Sequence, residues 1–311
     1  MRSSIPRRTL AIATAGLLFV TGCAPPPPSS RAAGAAPATA ADPARTPASM
    51  MVLPTPAVVE KYQWANVMVP ESPSWRLLEK VVAATGGTAV VDGVTTLVST
   101  GKLQMKSPGG TLEATVTTTF LYPDKLRREV VFPNGTTIST TFTPARAWVT
   151  GPTGLVELPS WEKQQLEESA MRTPLSLLKA RRHKLFRVAA GDPVERNGAP
   201  RETLLFRLAG ETTEAVLDAD HKVVELSWET PTPSADGTKK RIRLRYSDFR
   251  TLDGLVCPYY VDTFAGEELD STLRIESLRV NQPLPPGLFD SKAATPSPSP
   301  TPQARATPGG R

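Results

Sequence analysis

The sequence predicts an α+β protein built on a single curled antiparallel sheet of about ten or eleven strands, with covering helices. Three observations support this class. Long segments alternate apolar and polar residues, short turns separate most of these segments, and helical patterns interrupt the series. A sheet of this size is expected to curl, and its helices then cover the face that is not exposed to water. The body, residues 59–290, is long enough for one sizeable domain.

A helix is the first predicted element of this body. Ser74 is the expected N-cap, apolar residues then recur at helical spacing, and Gly86-Gly87 ends the helix. A block of strands follows, and Asn134-Gly135 forms a hairpin turn within it. The predicted strands of this block are residues 111–122, 125–132, 136–142 and 147–149.

Two helices and a second block of strands complete the body. The first helix is polar and covers residues 160–171, and the second begins at Thr173-Pro174. Arginines 241, 243 and 245 alternate with apolar residues, which predicts a strand with one buried face. The predicted strands of the second block are residues 203–208, 213–217, 222–228, 241–246, 255–264 and 271–280.

The N-terminus has the pattern of an export signal. Arg2, Arg7 and Arg8 make a basic start, and residues 9–20 form an uncharged apolar run that is too short to span a bilayer. The segment Thr21-Gly22-Cys23 resembles the processing site of bacterial lipoproteins. That resemblance implies cleavage of the signal peptide, residues 1–22, and attachment of diacylglycerol to Cys23, which anchors the protein to a membrane. The alternative is an ordinary secretory signal in which Cys23 has no special role.

Two segments rich in Ala, Pro, Ser and Thr flank the body. Residues 23–58 and 291–311 have too few large apolar residues to form a core, so we expect a disordered tether and a disordered tail. The signal peptide and the tail together hold the whole formal net charge of +6, which leaves the body nearly neutral. Nucleic acid is therefore excluded as a partner, because its binding needs basic residues clustered on the folded domain.

The sequence offers no constellation typical of an enzyme or a metal site. The chain has two histidines, and neither stands at a spacing typical of metal ligands. Cys257 has no partner for an internal disulfide once Cys23 is lipidated, and its apolar surroundings favour a buried, inert thiol. Glycine-rich phosphate loops and nucleophile elbows are also missing from the sequence. We therefore expect a protein without catalytic residues, metal or cofactor.

The order of elements and four short motifs resemble the superfamily of outer-membrane lipoprotein carriers and lipoprotein-sorting proteins. This resemblance extends over about residues 75–290. The motifs are Tyr122-Pro123-Asp124-Lys125-Leu126-Arg127, Thr173-Pro174-Leu175-Ser176-Leu177-Leu178, Tyr246-Ser247-Asp248-Phe249 with Leu252-Asp253-Gly254-Leu255-Val256-Cys257-Pro258, and Asn281 with Leu284 and Gly287-Leu288-Phe289-Asp290.

The resemblance implies a half-open barrel whose concave face shelters acyl chains in an apolar cavity, under a helical lid near Leu175. In soluble carriers of this superfamily an arginine next to the strand-start proline helps to latch the lid. Leu121 or Tyr122 stands at that position here, so this latch is not expected. Eight apolar residues are candidates for contact with the ligand, although a filled core would use the same residues. They are Phe120, Trp148, Leu175, Leu178, Phe206, Trp228, Leu244 and Tyr246.

The sequence therefore predicts a non-enzymatic, membrane-anchored protein that binds lipid or lipoprotein acyl chains for transport or sorting in the cell envelope. The alternative is an envelope sensor or interaction module of the same fold, which binds a protein partner. We expect the domain to face the periplasm. Ala24, rather than an aspartate, follows the cysteine, and this points to the outer membrane by analogy with enteric bacteria.

Overall fold

The computed structural model describes residues 62–66, 69–107, 109–208, 211–229 and 240–291. The predicted signal peptide, Cys23 and nearly all of the predicted tether and tail lie outside the described residues. The domain boundaries drawn from the sequence therefore remain predictions.

The described elements are four helices and fifteen strands. The helices are α1 (Pro73–Ala84), α2 (Thr88–Gly93), α3 (Ser160–Met171) and α4 (Pro174–Ala180). The first nine strands are β1 (Thr96–Ser107), β2 (Gly110–Leu121), β3 (Lys125–Val131), β4 (Thr137–Phe142), β5 (Ala147–Gly151), β6 (Gly154–Glu157), β7 (Arg187–Ala190), β8 (Val194–Arg196) and β9 (Ala199–Arg201). The last six are β10 (Thr203–Leu208), β11 (Glu211–Leu217), β12 (Val223–Glu229), β13 (Arg241–Leu252), β14 (Leu255–Ala265) and β15 (Glu268–Val280).

Thirteen strands form one open antiparallel sheet, which confirms the predicted α+β class with a single curled sheet. Their order is β6-β5-β4-β3-β2-β1-β15-β14-β13-β12-β11-β10-β7. The pairing of β1 with β15 joins the two halves of the chain at the middle of the sheet. Helices α3 and α4 follow edge strand β6 and precede edge strand β7, so the chain crosses between the two edges through these helices.

The core lies on the concave face of this sheet. Buried side chains of β10 to β15 pack there against the apolar side of α1 and against the buried leucines of α4. The segment before α1 also pairs with edge strand β7, since the backbone N–H of Ala65 donates to the Val188 carbonyl at 2.7 Å. This pairing satisfies backbone groups that an edge strand would otherwise leave open.

Most predicted strands are present, but the sequence missed β1 and the four short strands β6 to β9. The N-cap of α1 was also predicted wrongly. Ser72 holds this position, and its hydroxyl accepts a hydrogen bond from the backbone N–H of Trp75, whereas Ser74 is a buried residue inside the helix. Pro73 follows the cap because proline suits the first helical position, where its missing N–H is not needed.

Asn281, the first residue of the predicted C-terminal motif, links three elements. Its side-chain oxygen accepts a hydrogen bond of 2.7 Å from the backbone N–H of Thr95, and its side-chain amide donates to the Gly93 carbonyl at 3.0 Å. The amide thus connects the end of α2, the start of β1 and the end of β15.

Candidate functional site

An apolar cavity of about 170 Å³ lies between the concave face of the sheet and helices α1 and α4. Several of its apolar lining residues remain only half-buried although they point toward the core side of the sheet, which indicates open space rather than complete packing. These half-buried lining residues include Leu97, Phe120, Val261, Leu273 and Ile275.

The structure brings four of the eight predicted ligand residues to this cavity: Phe120, Leu175, Leu244 and Tyr246. A fifth, Phe206, lines a separate groove of about 430 Å³ between α3 and strands β10 and β11.

The remaining three predicted residues, Trp148, Leu178 and Trp228, are buried and are not among the lining residues of either space. Trp228 lies under Arg172, whose guanidinium carbon is 5.2 Å from the centre of the indole ring. This contact shields the indole from the neighbouring groove, which Arg172 lines.

Helix α4 covers the cavity, and its N-terminal sequence fixes the residue at which it starts. The Thr173 hydroxyl accepts a hydrogen bond from the backbone N–H of Ser176, and Pro174 occupies the first helical turn. Leu175 then reaches the cavity, while Leu177 and Leu178 pack into the core. The seven residues of this helix are too few to be stable alone, so contacts with its neighbours hold it in place.

A polar cluster joins the C-terminal end of α4 to α2. The Asp92 carboxylate contacts Arg181 at 2.7 Å and Arg182 at 2.8 Å. The Arg181 side chain is only 3% exposed, whereas that of Arg182 is 67% exposed. The Lys179 amine also donates to the backbone carbonyls of Val91 and Asp92, each at 3.1 Å. We call the contacts between Asp92 and the three basic residues the α2–α4 clasp.

Tyr122, which follows strand β2, lies beneath α4, close to Ser176 and Lys179. Burial raises the pKa of its phenol well above the ordinary value, and the nearby hydroxyls of Ser176 and Thr173 only partly offset this shift. Its ring stacks on that of Phe120 with 5.5 Å between the ring centres, and the Lys179 amine lies 5.2 Å from the centre of the Tyr122 ring. Tyr122 therefore joins the cavity residue Phe120 to Lys179 of α4.

Arg128 is one of the cavity-wall residues that sequence analysis missed. It lies on the concave face between Leu126 and Val130, while its neighbour Arg127 faces the other way and pairs with Glu129 at 3.3 Å. The pattern of alternating residues contained this information, because residues two apart in a strand share one face. Burial lowers the pKa of the Arg128 guanidinium to about 10, so the side chain stays protonated at neutral pH.

Cys257 also lines the cavity, and burial raises the pKa of its thiol to about 12. The folded protein therefore keeps the thiol protonated where an unfolded chain, with a thiol pKa of about 8.5, loses the proton. The resulting stability is complete below about pH 8.5 and is lost as the pH rises toward 12. Tyr122 and Tyr246, whose pKa values burial also raises, add to this loss at higher pH.

We expect the free energy of unfolding to fall by about 2 kcal/mol between pH 8.5 and 10 because of Cys257. Urea unfolding at a series of pH values measures this fall. In Cys257→Ala the loss should begin only near pH 10, where the tyrosines start to ionise. An equally steep fall in Cys257→Ala below pH 10 would refute the assignment to the thiol.

The described residues contain no group of three or more histidine, cysteine, aspartate or glutamate side chains that could hold a metal ion. Within the same ranges, none of the helices has the length and apolar character that crossing a membrane requires. The expectation of a protein without catalytic function remains a prediction.

Comparison with known proteins shows similarity in structure alone. No protein-family model matches the chain, and no curated protein matches it in sequence. A DUF1329 family protein from Desulfovibrio piger has a TM-score of 0.51 at 12% identity, with 72% of this chain and 100% of that one covered. This match shows that the two proteins share a fold.

Two further solved structures are similar to this chain at lower TM-scores. One is described as an outer membrane lipoprotein-sorting protein domain from Vibrio parahaemolyticus, with a TM-score of 0.48, 11% identity, and 70% of this chain and 97% of that one covered. The other is a LolA superfamily protein from Nitrosomonas europaea, with a TM-score of 0.48, 11% identity, and coverage of 70% and 96%.

Proposed function

We propose that this protein is a non-enzymatic, lipid-binding lipoprotein of the bacterial cell envelope, which holds an acyl chain in the cavity under α4. The observation that carries the proposal is the apolar cavity itself, whose lining keeps half-buried apolar side chains beneath a short helix. Each CH₂ group that enters such a cavity from water contributes about 0.8 kcal/mol. A cavity that is filled by ligand explains why these side chains are not fully packed by protein.

The volume of the cavity implies that α4 moves when a lipid enters. At about 170 Å³ the cavity is close to the ~150 Å³ that holds one benzene molecule, and it is smaller than the ~300–1,000 Å³ of typical ligand sites. A long acyl chain therefore needs more space than the closed form provides. Helix α4 is the element to move, because it covers the cavity and has only seven residues. Its C-terminal end is held by the polar contacts of the α2–α4 clasp, which must break when the helix moves.

The remaining parts of the proposal concern the ends of the chain. Residues 1–22 serve as a signal peptide, lipidated Cys23 and the tether to residue 58 hold the domain at a membrane, and residues 291–311 form a tail. The lipobox-like sequence before Cys23 supports the anchor, and the absence of aspartate after it supports the outer membrane. In this arrangement the domain of residues 59–290 faces the periplasm and serves lipid or lipoprotein transport or sorting.

The test uses residues 24–311, exported behind a cleavable secretory signal and purified without detergent; we call this protein the anchor-free chain. All described elements lie within it. Native mass spectrometry with lipid extraction should find a co-purifying molecule that contains an acyl chain. Phe120→Asp places a charge in the cavity and should reduce the bound lipid by about tenfold or more, since a buried carboxylate disfavours apolar contact.

Thr115→Asp is the matched control. Thr115 lies on the opposite face of the same strand, where the Lys102 amine donates to its hydroxyl at 2.9 Å, so an added carboxylate has a basic neighbour. This variant should retain its lipid. A protein that purifies without lipid, or equal lipid contents in the two folded variants, would contradict the proposal.

A second candidate function, an interaction module for an envelope protein, has its own supporting observation. The side chains of Leu155 and Val156 on edge strand β6 are 43% and 57% exposed, and that of Trp161 at the start of α3 is 51% exposed. Exposed apolar residues on an edge strand are typical of a contact surface for another chain. A stable protein partner, captured by an anchor-free chain that carries no lipid, would favour this function.

A further inference from the structure

A row of polar side chains crosses the otherwise apolar concave face of the first half of the sheet. Ser99, Thr118, Arg128 and Thr140 lie directly opposite one another on β1, β2, β3 and β4. We call these four residues the polar row. The first three line the apolar cavity, and Thr140 stands on the far side of Arg128.

Apolar residues border the polar row on both sides. Phe120, Leu126 and Phe142 belong to one apolar cluster, and Val116 and Val130 belong to another. The two clusters lie four residues apart along β2 and β3, and the polar row lies midway between them. A sheet that only needed a core could continue the apolar pattern through this interval, so the guanidinium and the hydroxyls need another explanation.

The charge of the cavity wall is positive. Arg128 and Lys222 are the charged residues of the lining, and the described part of the chain contributes no aspartate or glutamate to it. The Lys222 amine lies 3.1 Å from the Asp220 carboxylate, which balances its charge outside the cavity. Arg128 is the other basic residue of the lining, and it lies at the centre of the polar row between Thr118 and Thr140.

We propose that the polar row binds the oxyanion head group, a carboxylate or a phosphate, of an amphiphile whose acyl chain lies in the cavity. This inference rests on the proposed lipid-binding function and specifies the class of ligand. The head group contacts Arg128 with the hydroxyls of Ser99 and Thr118, and the chain extends over Phe120 toward Tyr246 on the opposite wall.

The chemistry of the side chains fits this ligand class. A guanidinium presents five N–H donors in a planar fork that matches the two oxygens of a carboxylate or phosphate. Arg128 also interacts with the protein itself, and a bound oxyanion would share the guanidinium with that interaction. Serine and threonine hydroxyls donate further hydrogen bonds to the same oxygens. An anion also offsets the desolvation that lowers the pKa of Arg128.

The test compares three amphiphiles with the same chain: dodecanoate, dodecyl phosphate and dodecanol. The two anions are titrated below their micelle concentrations and dodecanol below its solubility limit into the delipidated anchor-free chain, and the dissociation constant is measured by calorimetry. We expect both anions to bind about ten to a hundred times more tightly than the alcohol, because charge-assisted hydrogen bonds favour them. Inorganic phosphate alone should not compete at equal concentration, since it lacks the chain.

Arg128→Met keeps a flexible, unbranched side chain without the charge, and it should reduce the preference for the anions to less than about threefold while dodecanol still binds. Arg128→Lys keeps the charge without the planar fork and should retain part of the preference. The wild-type comparison tests the proposal even if Arg128→Met does not fold. Circular dichroism and thermal unfolding check the fold of each variant.

Distinct outcomes separate a failure of this inference from a failure of the proposed function. Equal affinities of wild type for dodecanoate, dodecyl phosphate and dodecanol would overturn the oxyanion site and leave lipid binding intact. A full preference for the anions in folded Arg128→Met would overturn it as well. Failure of all three amphiphiles to bind would overturn both proposals, and tight binding of inorganic phosphate alone would replace the amphiphile with a free anion.

Discussion

Gly101→Ala is expected to lower the free energy of unfolding by about 3 kcal/mol, one of the two largest effects predicted for this protein. A Cβ atom at position 101 would overlap the Arg274 carbonyl oxygen and come within 2.9 Å of both the Arg274 carbonyl carbon and the Ile275 Cα atom. These are backbone atoms of β15, so they cannot turn away as a flexible side chain could. The pairing of β1 with β15, which joins the two halves of the sheet, would have to shift.

Gly93→Ala is the matched control, because a Cβ atom at Gly93 would meet nothing within 4 Å. Thermal unfolding should show a midpoint lower by about 6–12 °C for Gly101→Ala and within about 2 °C of wild type for Gly93→Ala. Equal midpoints for Gly101→Ala and wild type would show that the two strands can separate at this bulge without cost.

Asp92→Ala is expected to destabilise the closed position of α4 by about 3 kcal/mol. The carboxylate of Asp92 is the acidic partner of Arg181, whose side chain is only 3% exposed. Without this carboxylate the guanidinium is a buried charge that lacks its ion pair, and release of α4 allows water to solvate it. The loss of the α2–α4 clasp should therefore open the cavity as well as lower stability.

The thiol of Cys257 reports this opening, because it lines the same cavity as Leu175 of α4. It is the one cysteine of the anchor-free chain, since the other cysteine of the sequence is Cys23. We expect a thiol reagent to modify Cys257 about ten times faster or more in Asp92→Ala than in wild type under native conditions.

Arg182→Ala is the control for the clasp. It removes another partner of Asp92, but the Arg182 side chain is 67% exposed, and exposed ion pairs contribute less than about 1 kcal/mol. The rate of thiol modification should change by less than about threefold. If Asp92→Ala loses stability while the rate stays at its wild-type value, α4 is not the element that opens the cavity.

Gly101 also explains why sequence analysis missed β1, the strand at the middle of the sheet. The segment Thr96–Ser107 contains a glycine and a register shift between Thr100 and Gly101, so its apolar and polar residues do not alternate regularly. The longer strands β2 and β13 alternate over part of their length and were found, because one buried face imposes a period of two. The short strands β6 to β9 have three or four residues each, too few for a pattern.

The predicted ligand residues also divide into those that line the cavity and those that lie in the core. Phe120, Leu244 and Tyr246 were found from the apolar faces of their strands, and the cavity includes them. Trp228 was selected for the same reason and lies in the core under Arg172. Strand periodicity specifies which face of the sheet a residue occupies, whereas packing against the helices decides whether space remains in front of it.

The sequence by itself therefore determined the fold class, most strands and the face of the sheet on which each side chain lies, because these follow from local periodicity and turn residues. The tertiary structure decided which of those side chains line a cavity, since this depends on where α1 and α4 rest on the curved sheet. It also decided that the concave face at Arg128 borders a cavity rather than a filled core. The physical reason is that long-range strand pairing and helix packing, rather than local preference, bring residues distant in sequence to one space.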